Sequence, residues 1–133
     1  MTSNLERKKV LVVDDDEQFL RITKLNLEDT KKYDVMTLVG AENIISCVHN
    51  FKPDVILLDI LMPEIGGIEV CKMLNNDPVG AGVPIIVVSA LDTYEGIREA
   101  YKAGAVDYLA KPVGKAELVA KIEKYLRYKE QSV

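Results

Sequence analysis

Four short apolar runs in this chain end in residues able to do chemistry. Val10-Leu11-Val12-Val13 runs into Asp14-Asp15-Asp16, Val55-Ile56-Leu57-Leu58 into Asp59, Ile85-Ile86-Val87-Val88 into Ser89, and Tyr108-Leu109-Ala110 into Lys111-Pro112. Carboxylates gathered in one place repel one another unless they are protonated or share a cation, and a hard divalent ion is the natural resolution. Mg²⁺ takes one or two carboxylates, keeps several waters and leaves positions for phosphate oxygens. Joined by a lysine and a hydroxyl, such a set suits phosphoryl transfer.

These residues can meet only if the runs are neighbouring strands of one sheet. A fifth apolar segment, Val35 to Val39, completes the series. Three of the five are unbroken by polar residues, as expected of strands covered on both faces, and helical periodicity fills the intervals. The first helix is expected from about Glu17 to Asp29, capped by Asp16, with Phe19, Leu20, Ile22, Leu25 and Leu27 inward. The second runs near Ala41 to Asn50 and stops before Pro53; the third follows Gly66-Gly67 with Ile68, Cys71 and Leu74 on one stripe. The fourth spans about Thr93 to Ala103 with Tyr94, Ile97 and Tyr101 inward, and the fifth Lys115 to Lys129 with Leu118, Ile122 and Tyr125 on its stripe. Strand and helix alternating five times give an open parallel sheet wound on both faces, whose ligands bind at the carboxyl ends of the strands.

The 133 residues suit one domain, with a core over about 9–127 and short tails; with four residues, Glu130 to Val133, after the fifth helix, a single unit of this size is expected, either standing alone or cut from a longer chain. Apolar residues make up 48% and charged ones 29%, a globular composition, and the net charge of −4 offers no surplus cation for nucleic-acid phosphates. Cys47 and Cys71 fall among apolar helix residues and read as reduced core thiols. His49 has no ligand partner at metal-binding spacing and suits a helix end. Val10 to Val13 is too short for a signal-peptide core, and no run approaches the ~20 residues of a membrane span. A cytoplasmic setting is expected.

Each residue alone has a plainer use. Asp14 to Asp16 suit a helix N-cap, Asp59 a turn before Met62-Pro63, and Tyr108 a half-buried strand position. The coincidence of Asp59 with Lys111 and Ser89 is what favours a site.

Val12-Val13-Asp14-Asp15-Asp16, Asp54 through Asp59 to Met62-Pro63, Val88-Ser89-Ala90, and Gly104-Ala105 with Asp107-Tyr108-Leu109-Ala110-Lys111-Pro112 together resemble the receiver domain of bacterial two-component response regulators. The resemblance covers about Lys9 to Arg127. It implies a flavodoxin-like three-layer sandwich with strand order 2-1-3-4-5. It also implies that Asp59 accepts a phosphoryl group from a phosphohistidine, that Asp14, Asp15, Asp59 and the Leu61 backbone carbonyl hold Mg²⁺ or Mn²⁺, and that Lys111 and Ser89 contact the phosphoryl oxygens. Ser89 and Tyr108 would form the switch, with Tyr108 moving inward.

The partners implied are a sensor histidine kinase or phosphotransfer protein and an output protein or domain. The output partner would read the face of the fourth helix, fifth strand and fifth helix. No direct nucleic-acid or membrane contact is expected, and the chain would be a monomer or a weak phosphorylation-dependent dimer. It would act as a signalling switch and not as an enzyme on other substrates. Two positions depart from the family's habit: Gly66 stands where Asp, Ser or Asn is common before the third helix, and Val113 where Phe often follows the Lys-Pro pair. The resemblance implies a cis Lys111-Pro112 bond, where base rates alone favour trans.

An aspartate-nucleophile phosphatase of the haloacid dehalogenase type is the alternative, since Asp14 and Asp16 form an Asp-x-Asp after a strand. Against it, Gln18 stands where that motif wants Thr or Val, and only scattered Glu117, Glu123 and Glu130 follow Lys111. A flavodoxin-like nucleotide carrier shares the architecture, but Asp14 to Glu17 would repel its phosphate.

Overall fold

Side chains of a strand point alternately to opposite faces of its sheet, and strand β1 (Lys8–Asp14) uses both. Val10 and Val12 pack with Leu20, Leu27, Leu118 and Ile122, whereas Leu11 and Val13 pack with Ile44, Val48, Val70 and Leu74. β3 (Val55–Leu58) and β4 (Ile85–Ser89) are buried at every position, so each carries an uninterrupted apolar run.

The computed structural model describes residues 7–62 and 65–131, with side chains through residue 127. Pro63, the side chains of Lys129 and Glu130, and the tail residues Ser132 and Val133 lie outside the described residues. The remaining elements are α1 (Glu17–Glu28), β2 (Tyr33–Val39), α2 (Ile44–Phe51), α3 (Gly67–Asn75), α4 (Tyr94–Lys102), β5 (Asp107–Ala110) and α5 (Lys115–Gln131), with a 3₁₀ turn at Gly80–Gly82. The five strands pair in parallel in the order β2-β1-β3-β4-β5. α1 and α5 cover one face, α2 and α3 the other, and α4 packs Ala100 against Val87 beside Ile60. The chain therefore winds one way from β1 to β2 and the other from β3 onward. That leaves a crevice between the carboxyl ends of β1 and β3.

Four expectations need correction. On α1, Leu20, Thr23 and Leu27 are buried while Ile22 and Leu25 are 49% and 64% exposed. The stripe steps by three and four residues, which leaves 22 and 25 on the flank. On α4 the buried residue is Ala100; Tyr94 and Tyr101 face out at 77% and 45% exposure. At its contact with Val87 and Ile60 the helix presents Ala100, and the Tyr101 hydroxyl reaches Asp107 at 3.4 Å instead. Cys47 is half-buried, its Sγ 3.2 Å from Met36 Sδ, because β2 is an edge strand; Cys71 is buried as expected.

α2 begins at Ile44, three residues later than the periodicity suggested, and is closed after Phe51 by Lys52 in the left-handed conformation. Gly66 does cap α3, without a side-chain hydrogen bond, and His49 sits near the end of α2 against Asp77 at 2.8 Å. The Lys111-Pro112 peptide is cis. Among the described residues, no helix is long and apolar enough to cross a membrane.

Candidate functional site

The parallel ladder carries on one step past the strands and fixes the backbone of the crevice. Asp59 N–H donates to the Val13 carbonyl at 3.1 Å, and Lys111 N–H to the Ser89 carbonyl at 2.9 Å. Asp14, Asp59, Ser89 and Lys111 thereby lie along one edge. Asp14 is 1% exposed and Asp59 5%, while Asp15 faces solvent.

One carboxylate oxygen from each of Asp14, Asp15 and Asp59 falls within 4.8 Å of the others. Lys111 Nζ donates to Asp14 Oδ2 at 2.7 Å and to Asp59 Oδ2 at 3.3 Å. The remaining oxygens are also engaged: Asp14 Oδ1 accepts from Asp16 N at 3.0 Å, and Asp59 Oδ1 from Leu61 N at 2.9 Å. Asp16 has a separate task, since its Oδ1 accepts from Gln18 N and Phe19 N at 3.0 and 3.2 Å and caps α1.

Burial holds the Asp14 carboxyl above its ordinary pKa, despite the opposing hydrogen bonds from Lys111 and Asp16 and with the Asp59 charge adding to the rise. Burial also presses Lys111 towards losing its proton, but the hydrogen bond to Asp14 and the charge of Asp59 outweigh it and leave the pKa raised. The crevice is thus anion-rich, with one lysine serving two buried carboxylates. All-oxygen donors with surplus negative charge are the donor set a hard divalent cation takes, so the cluster is compatible with metal binding.

Ser89 and Tyr108 converge on a different point. Ser89 Oγ accepts from Leu91 N at 3.2 Å, and the half-buried Tyr108 hydroxyl donates to the Leu91 carbonyl. Burial keeps that hydroxyl above its ordinary pKa, against the pull of Ser89. Both switch candidates are thus tied to the β4–α4 loop. Leu61, two residues past Asp59, is 48% exposed.

Two further residues were not singled out for a role by the sequence. The Phe19 ring centroid lies 4.2 Å from Lys111 Nζ. Asp107, buried at the start of β5, accepts from Tyr108 N at 2.8 Å, from Lys121 Nζ and Tyr125 Oη at 2.9 Å, and from Tyr101 Oη at 3.4 Å. A carboxylate heading a strand, with Lys and Tyr four apart on the next helix, was the available signal.

An open parallel sheet with an acidic, lysine-bridged crevice at its switch point defines the class of protein. The model of the response regulator receiver domain matches residues 10–123, and the chain belongs to that family. It is 37% identical over 123 residues to the alkaline phosphatase synthesis transcriptional regulatory protein PhoP of Bacillus subtilis, covering 92% of this chain and 50% of that one. With the response regulator PleD of Caulobacter vibrioides it shares 32% over 121 residues, covering 91% and 26%. The chain thus spans half or less of the length of these two relatives. Among solved structures, a CheY-like receiver domain protein of Methanospirillum hungatei superimposes with a TM-score of 0.88 at 29% identity, covering 96% of this chain and 99% of that one. A response regulator from Chloroflexus aurantiacus gives 0.85 at 30%, covering 91% and 98%.

Receiver domains are phosphoryl-accepting switches that pair with histidine kinases and output domains. Family membership supersedes the haloacid dehalogenase alternative, whose second aspartate, Asp16, is occupied as a helix cap.

Proposed function

We propose that Asp59 is the phosphoacceptor of this receiver. A carboxylate oxygen of Asp59 attacks phosphorus, the bond to the donor's histidine nitrogen breaks with its electron pair leaving on the imidazole, and an acyl phosphate forms. Lys111, already shared between Asp14 and Asp59, neutralises the developing charge on the phosphoryl oxygens. Mg²⁺ or Mn²⁺ held by Asp14, Asp15, Asp59 and the Leu61 carbonyl would supply further charge neutralisation. The observation that carries this reading is the nearly buried Asp59 carboxylate at the end of β3, one lysine away from Asp14.

The modified residue adds up to two negative charges and three acceptor oxygens. Ser89 Oγ turning towards them gives up Leu91 N–H, and Tyr108, bonded to the same residue, follows inward. Only differential contact of this kind biases two states. The reader of the change is an output protein or domain on the α4, β5 and α5 face, and the donor is a sensor histidine kinase or phosphotransfer protein. We place the unit in the cytoplasm, as a single receiver unit and as a monomer or weak phosphorylation-dependent dimer. Its own chemistry is limited to self-phosphorylation and autodephosphorylation.

Incubation with acetyl phosphate and Mg²⁺ is expected to add one phosphate by intact mass, and Asp59→Asn or a chelator to abolish it. Phosphate on the Asn variant would overturn the assignment.

A further inference from the structure

Lysine is a point charge on a flexible four-carbon stem, so its place in the crevice must be held by its surroundings. Two carboxylates take two of the three donors of Lys111, and the Phe19 ring lies 4.2 Å from the ammonium, within cation–π range. The ring is itself fixed. Asp16 caps α1 by accepting from Phe19's own N–H at 3.2 Å, and the half-buried ring packs against the core under α1 and α5. Phe19 and Lys111 also share a cleft of about 400 Å³ with Ile22, Val113 and Leu118, whose apolar walls lower the competition from water.

We propose that Phe19 is a positioning residue for phosphoryl transfer, holding the Lys111 ammonium over the crevice by cation–π attraction. The proposal rests on the Asp59 reading. Asp14 and Asp59 lose their hold on Lys111 as soon as their charge is neutralised by a cation or by phosphoryl transfer. The ring's attraction does not depend on those charges. Phe19 therefore matters most when Lys111 must turn from the carboxylates to the phosphoryl oxygens.

The test compares Phe19→Leu, which keeps an apolar side chain without a π face, with Phe19→Tyr, which keeps the face. Phosphate uptake from acetyl phosphate with Mg²⁺ is expected to slow roughly 2- to 30-fold in the Leu variant and to stay near wild type in the Tyr variant. A Leu variant at the wild-type rate, or Leu and Tyr variants slowed alike, overturns the proposal while leaving Asp59 in place. A wild-type chain that takes up no phosphate overturns both.

A second readout is independent of turnover. By NMR, the Lys111 ε-methylene protons are expected upfield from the ring current in the wild type and the Tyr variant, and at ordinary positions in the Leu variant. If the Leu variant does not fold, Phe19→Met takes its place. Ordinary Lys111 shifts in the wild type would sink the idea.

Discussion

The Lys111 ammonium lies 2.7 Å from an Asp14 carboxylate that is 1% exposed, while the lysine side chain keeps 19% of its own exposure. Removing one partner of a fully buried pair costs about 3–5 kcal/mol. Here the lysine is partly solvated, so Lys111→Ala is expected to destabilise the metal-free fold by about 2–3 kcal/mol. Because the folded pKa of Lys111 is raised, its contribution is complete below about 10.4 and fades only as pH rises through the folded value. Added Mg²⁺ should recover part of the loss, since one cation then stands in for another. Urea unfolding with and without the ion measures both effects; no recovery would contradict the cation-site reading.

Neighbouring aspartates should separate cleanly. Asp15 belongs to the acidic cluster, whereas Asp16 accepts from two backbone N–H groups at the start of α1. Asp16→Ala should cost about 1 kcal/mol of stability with little change in divalent affinity. Asp15→Ala should do the reverse. Calorimetric titration with Mg²⁺ beside thermal melts checks the pair, and equal effects on affinity would undo the ligand assignment.

A β-carbon at Gly67 would stand 2.3 Å from Ile60 Cα and 2.6 Å from the Asp59 carbonyl oxygen. α3 thus rests directly on the backbone that presents Asp59. Gly67→Ala should push the helix away, costing about 1–3 kcal/mol and slowing phosphate uptake. Gly66→Ala, which meets nothing within 4 Å, should leave uptake near wild type. Rates from acetyl phosphate distinguish them.

Asp107 ties α4, β5 and α5 through Tyr101, Tyr108, Lys121 and Tyr125. Burial alone would lift its pKa, but the bonds from Lys121, Tyr108 N–H and Tyr125 hold it below the ordinary value. Its contribution is therefore present above about 3.9 and lost as pH falls through the folded value. Asp107→Asn should lower stability at pH 7 by about 1–2 kcal/mol and show a shallower loss on acidification than the wild type. Melts at pH 7 and below pH 4 decide it.

The sequence revealed most where burial is complete. Continuous apolar runs marked β1, β3 and β4, and the residues just past them carried the acidic crevice, because a strand that ends at a sheet edge can present only the next few side chains. It revealed less where exposure is partial. Ile22, Leu25, Tyr94 and Tyr101 are apolar or aromatic yet face out, and hydrophobicity alone does not say which flank of a helix is covered. Asp107 escaped notice because its partners come from three elements that periodicity cannot align. Phe19 was read as a core residue; its position beside Lys111 follows from the meeting of α1 with the end of β5.

The order β2-β1-β3-β4-β5 has one more consequence. Asp14 and Lys111 are 97 positions apart, and Asp59 comes from between them. No local stretch of chain can bring these three side chains together, and their contacts exist only when the ends of β1, β3 and β5 share one edge of the sheet. A copy cut short before Lys111 would keep both buried carboxylates and lose the cation that joins them, so the crevice is a property of the completed sheet and of no shorter piece.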